Sequence, residues 1–214
     1  LQGMTQDGKT IGNEYEGPTD LKYKQISTGE IQLTWNAPVL EKIAGWGSQD
    51  RYQQFGLGGD PFYFAQKWDT KDLQPVHKKT IRKVNFYPQE RVTYGVYIKQ
   101  GNREYEESFT QLKSGKINSV TLKTPFVIDA KLDLLVAIHV ISYANNTYPA
   151  CSDEGPAVDG KGNLYSLDGK KWETFSDDEL DANVVLSIVI SAEEGELPSS
   201  SVFSTSTFSD RKSV

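Results

Sequence analysis

What most constrains this chain is a series of short segments in which apolar residues recur at every second position, each cut off by glycine, proline or a polar turn. Ile31, Leu33 and Trp35 alternate with Gln32, Thr34 and Asn36 before Pro38 ends the run. Residues 62–68 read as a strand, and Ile81, Val84 and Phe86 share the next run. Val92, Tyr94, Val96 and Ile98 alternate without a break. Residues 118–122 and 126–128 are short strands on either side of Pro125. Residues 134–141 are apolar on both faces, as a central strand of a two-sheet structure must be. Leu186, Ile188 and Ile190 line one face of the last strong strand, with Val185 and Val189 on the other. A weaker strand covers residues 21–26, and residues 69–73 suit a single helical turn capped by Asp69 or Thr70. Nothing longer than about ten residues has helical periodicity. The pattern predicts an all-β fold, a two-sheet antiparallel jelly-roll sandwich. Its inward set is Trp35, Phe86, Tyr94, Val96, Ile98, Leu122, Val136, Ile138, Leu186, Ile188 and Ile190.

The punctuation divides the chain into four parts. Residues 1–18 are polar and without periodicity, a flexible lead-in whose opening Leu1-Gln2-Gly3-Met4 reads as part of a longer protein. Residues 19–40 hold a strand pair, residues 43–191 the sandwich, and residues 192–214 a Ser/Thr-rich linker or tail. In the Ser/Thr-rich stretch after Pro198 only Val202, Phe203 and Phe208 are sizeable apolar groups before the terminus, so a lone strand awaiting a partner is the alternative reading. A chain of 214 residues buries enough surface to fold without staples. Its single cysteine, Cys151, rules out an intrachain disulfide and a cysteine-based zinc site. The net charge of −6 argues against nucleic acid as partner, because phosphate binding needs a basic face. No apolar run of about 18 residues is present to form a membrane-spanning helix.

Catalytic chemistry finds little to work with. The histidines are His77, in a polar loop, and His139, on a strand face shared with Leu135 and Ala137, so a structural role is expected for it. Cys151 lies near Asp153 and Glu154, which disfavour a thiolate. No nucleophile elbow, phosphate loop or His-Glu-x-x-His motif occurs. The expectation is that the chain is not an enzyme.

One stretch is distinctive: Tyr148-Pro-Ala-Cys-Ser-Asp-Glu-Gly-Pro-Ala-Val-Asp-Gly-Lys-Gly-Asn163, with Leu57-Gly58-Gly59 upstream and Ser166-Leu-Asp-Gly-Lys-Lys-Trp172 downstream. Together these resemble the jelly-roll module in the adhesin regions of gingipain and haemagglutinin proteins, secreted by Gram-negative anaerobes. Leu33-Thr-Trp-Asn-Ala-Pro38 resembles the end of a strand pair opening a fibronectin type III domain, into which the jelly roll would be inserted. The resemblance covers about residues 19–191. It implies a secreted or outer-surface location, neighbouring domains in a longer parent chain, and a host or cell-surface protein or glycan as partner. The later fibronectin strands that the pattern would supply do not follow within the sequence, which would leave the strand edges of residues 20–38 open to other chains or to the tail.

Two binding sites can be read from residue types. A structural calcium is the candidate cofactor: Asp159, the Lys161 carbonyl and Asn163 place oxygens at alternate positions of a Gly-relaxed loop, with Asp153 and Asp168 as further ligands. Lys161 stands where an acidic ligand would help, and Asp-Gly pairs more often only make turns. The Gly-rich aromatic loop of residues 45–61 offers Trp46, Tyr52 and Phe55 as a ligand platform, against the reading that they close the sandwich end as core. Two functions follow. One is adhesion or ligand binding, to protein or carbohydrate; the other is a spacer that positions a neighbouring catalytic domain.

Overall fold

The computed structural model describes residues 3–4, 9–15, 19–36, 40–178, 180–195 and 197. Strands dominate, every pairing is antiparallel, and the described residues contain one short α-helix. In chain order the strands begin with β1 (Gly3–Met4), β2 (Lys9–Tyr15), β3 (Thr19–Ser27), β4 (Glu30–Asn36) and β5 (Leu40–Trp46). Next come β6 (Gln53–Phe55), β7 (Phe62–Trp68), helix α1 (Thr70–Leu73), β8 (Lys79–Phe86), β9 (Thr93–Gln100) and β10 (Arg103–Phe109). The series closes with β11 (Asn118–Val127), β12 (Leu134–Ser142), β13 (Ala150–Ser152), β14 (Leu164–Ser166), β15 (Glu173–Thr174) and β16 (Leu186–Glu194).

Two six-stranded sheets hold the core between them. The first has the order β1-β2-β5-β16-β8-β11 and the second β10-β9-β12-β7-β14-β15. Ile81, Val84, Phe86, Ile188 and Ile190 from the first pack in one cluster with Phe62, Phe64, Trp68, Tyr94, Val96, Ile98, Val136 and Ile138 from the second. Every residue assigned inward from the sequence lies in that cluster except Trp35, whose side chain is outside the described set. β12 is a central strand flanked by β7 and β9, which is why it is apolar on both faces. The two short strands expected around Pro125 are one strand, β11, whose register shifts between Thr121 and Phe126. Proline is tolerated there because β11 is an edge strand and the shift leaves that stretch outside the ladder. The helical turn expected after Asp69 is α1, where the Asp69 N–H donates to Asp72 Oδ2 at 3.0 Å.

The N-terminal organisation differs from the sequence reading. Within the expected lead-in, residues 9–15 form β2, paired with β5 from Lys9↔Trp46 to Tyr15↔Leu40. Its Gly12, Asn13 and Glu14 hide the alternation, and it is recruited by the sheet rather than by its own propensity. The strand pair expected over residues 19–40 is the β3–β4 hairpin. Residues 198–214, most of the expected linker or tail, lie outside the described residues.

Candidate functional site

The stretch around residues 148–163 folds into a knot of buried polar groups. Asp153 is buried, and its Oδ1 accepts the backbone N–H groups of Gly155 (2.9 Å) and Asn183 (2.7 Å). Its Oδ2 accepts the Ser48 N–H (2.8 Å) and the Asn183 side-chain amide (3.1 Å). Asn183 Oδ1 in turn takes the Val158 N–H at 2.7 Å. Gly47 sits against this knot with φ +74°, and a Cβ there would stand 2.1 Å from Asp153 Oδ2. Asn183 organises the knot, yet nothing local in its sequence marks it.

The expected calcium ligands do not converge. Asp159 Oδ1 accepts from Asn163 Nδ2 (3.0 Å) and the Ser176 hydroxyl (2.8 Å), and these bonds hold its carboxyl below the usual range. Asn163 Oδ1 accepts the Gly160 N–H, and the Lys161 carbonyl takes the Lys67 N–H at 2.8 Å. Asp168 closes the β14–β15 turn, accepting the N–H groups of Lys170 and Lys171, each at 2.8 Å. Asp159 and Asn163 are bonded to each other, while Asp153 and Asp168 accept backbone N–H groups in networks of their own, and no group of three or more acidic, His or Cys side chains able to hold a metal occurs among the described residues. Lys161 reaches away to Asp72 (2.6 Å) and Asp69 (2.9 Å), with its ammonium 4.7 Å from the Trp46 ring centre.

The expected aromatic platform is divided between core and surface. Trp46 is buried in the core, its indole N–H donating to the Lys67 carbonyl at 2.7 Å. Phe55 packs edge-on against Phe64 and Phe175. Tyr52 is 61% exposed and stands apart from both. Glycines in this loop let the chain close the sandwich end, and Trp46 and Phe55 pack into that closure.

A different aromatic cluster lies on the outer face of the second sheet. Cross-strand register lays it out in ranks. Ser166, Tyr63, His139, Gly95 and Ser108 form one, and Leu164, Ala65, Ala137, Tyr97 and Glu106 the next. Lys67, Leu135, Lys99 and Glu104 make the third. The small residues Ala65 and Ala137 form a low floor, and the half-buried rings of Tyr63, Tyr97 and Trp172 stand around it. Tyr63 stacks on His139 at 4.0 Å and 12°, and meets Tyr97 and Trp172 edge-on at 5.9 and 6.2 Å. Gly169, with φ +70°, is where the β14–β15 turn approaches the Tyr63 ring; a Cβ there would lie 3.2 Å from it.

Electrostatics at this face are mixed. Burial pushes the Tyr63 phenol up, and the Glu106 and Asp168 carboxylates add to the shift. Burial draws the His139 imidazole below its ordinary value, while Glu106, 3.5 Å from Nδ1, opposes it. Burial likewise raises Tyr97, with Glu104 next in effect. Beside the rings a cleft of about 450 Å³ is lined by Lys67, Lys99, Asp133, Leu135, Leu164 and Trp172. Lys67 pairs with Asp133 at 2.9 Å and Lys99 with Glu104 at 2.7 Å, so fixed donors and acceptors border the aromatic floor. Sequence reading passed over this face, although alternation along β7, β9 and β12 already puts Tyr63, Tyr97 and His139 opposite the core residues.

Burial pushes the Cys151 thiol up to about 11, with the Arg51 guanidinium opposing the shift, and Sγ lies 3.6 Å from Gln89 Oε1. His77 Nδ1 accepts the Ala130 N–H at 3.1 Å. No helix among the described residues is long and apolar enough to cross a membrane. Comparison of the chain with protein-family models, with curated proteins and with solved structures finds no match.

Proposed function

We propose that this chain is a non-catalytic binding module of a secreted or outer-surface protein, and that it holds a saccharide on the outer face of its second sheet. The observation that carries this reading is the cluster of Tyr63, Tyr97, His139 and Trp172 around an alanine floor, beside a cleft bordered by lysines and carboxylates. Apolar ring surface left on an outer sheet face is kept where a ligand covers it. A sugar suits the place because its C–H face packs on aromatic rings while its hydroxyls bond to flanking charged groups. A jelly-roll connectivity is favoured by the way the chain alternates between sheets from β7 through β8, β9, β11 and β12 to β16. The adhesin resemblance agrees with a binding role inside a larger surface protein.

Titration calorimetry against a panel of neutral and acidic polysaccharides tests this. Trp172→Ala and Tyr97→Ala should each weaken binding by about 1–3 kcal/mol, the range known for aromatic stacking on nucleobases, with melting temperature nearly unchanged. A wild-type chain that binds no polysaccharide would instead favour the spacer role. Binding untouched by both substitutions would move the site elsewhere.

A further inference from the structure

The pair β3–β4 is nested in sequence between the paired strands β2 and β5. The ladder of β2 with β5 ends at Tyr15↔Leu40, and the ladder of β3 with β4 takes it up in the same register at Thr19↔Asn36. The β2–β5 pair is embedded in the first sheet between β1 and β16. The β3–β4 pair, turned at Gly29 with φ +101°, is a two-stranded sheet of its own. Its faces are unlike. Leu21, Tyr23 and Gln25 alternate with Lys22 and Lys24 along β3, and Ile31 and Leu33 alternate with Gln32 and Thr34 along β4. Tyr23 stands opposite Leu33 and Gln25 opposite Ile31, so Tyr23, Leu33 and Ile31 share one face, while Ile26, 55% exposed, lies next to the turn where the register shifts. Leu21, Tyr23, Ile31 and Leu33 are 67%, 80%, 62% and 54% exposed.

We infer that this apolar ribbon face is where a second copy of the chain docks, ribbon against ribbon, around a twofold axis. A lone two-stranded ribbon is marginal in water and gains stability when another layer covers its apolar face. The face is uncharged, with both lysines of β3 on the other side, so a chain of net charge −6 meets no like charge at the contact. A twofold contact needs only one self-complementary patch, which an amphipathic ribbon supplies. Four large side chains at this exposure make a patch of a few hundred Å² per copy. Doubled and with its rim, that reaches about 1,000 Å², the lower bound for specific association, and places the dimer in the weak, reversible class. The inference rests on residues separate from the aromatic face.

Sedimentation equilibrium of the full chain, from about 1 to 500 µM to bracket a weak dimer, tests it. The wild type should pass from monomer to dimer across that range. Tyr23→Lys with Leu33→Lys should remain monomeric throughout with an unchanged melting temperature, since neither residue packs on the core. Orientation is tested with Ile31→Cys and Gln32→Cys under oxidised glutathione, with Cys151 buried out of reach. Ile31→Cys should cross-link copies and Gln32→Cys should not. A wild type monomeric at every concentration overturns the inference, leaving residues 198–214 or a foreign partner to cover the face. A dimer that survives the double substitution, or cross-linking equally from both faces, overturns it too.

Discussion

Asp153 and Gly47 illustrate a site whose residues are legible and whose role is not. An aspartate in a glycine-rich loop looks like a cation ligand, but here all the described bonds to its carboxylate come from N–H donors of residues 48, 155 and 183. The sequence names the acceptor and hides the donors, because Asn183 arrives from thirty residues downstream. Gly47→Ala should destabilise by at least about 2 kcal/mol, since overpacking a filled site forces backbone movement; thermal melting reads this directly. Millimolar calcium should leave the wild-type melting point unmoved, whereas a folded-state site would raise it by RT ln(1 + [L]/Kd). His139 supplies a pH signature. Its imidazole titrates below 6.5 in the folded state, so the unfolded chain binds the proton more readily. Its contribution to stability is present above pH 6.5 and is lost as the pH falls through the lower folded value. His139→Gln should flatten the decline in melting temperature between about pH 7 and 5 that this linkage produces. An unchanged pH profile in that variant would assign the decline to other groups.

At the scale of strands, alternation located the core and missed what the sheet recruits. β9 and β12 were legible because Tyr94, Val96, Ile98, Val136 and Ile138 sit inward at strict two-residue spacing. β2 was not legible, since its pattern Lys-Thr-Ile-Gly-Asn-Glu-Tyr carries little apolar signal and its order comes from β5. The outer aromatic face was missed for the opposite reason: attention to inward positions passes over what the same strands turn outward. Deleting residues 1–15 tests the status of β2. The deletion should lower the melting temperature and promote association, because it strips β5 of the partner on its far side from β16 and opens a new sheet edge. A truncated chain that melts and sediments like the parent would mean that β2 adds nothing to the fold.

For the molecule as a whole, alternating strands and the absence of helical periodicity were enough to fix an all-β architecture, while the connectivity between the sheets depended on long-range register that no local pattern encodes. That connectivity has a mechanical consequence. β2 and β16 both lie antiparallel to β5, one on each side, and so run parallel to each other. Tension applied at Lys9 and at Glu194 pulls the two strands in opposite directions along their own axes. The hydrogen bonds to β5 are then loaded together in shear instead of opening one at a time like a zip. A force-clamp pull through these two points should meet far higher resistance than a pull applied across the β9–β10 hairpin. Load carried between these two points would run along the strongest direction the sheet has.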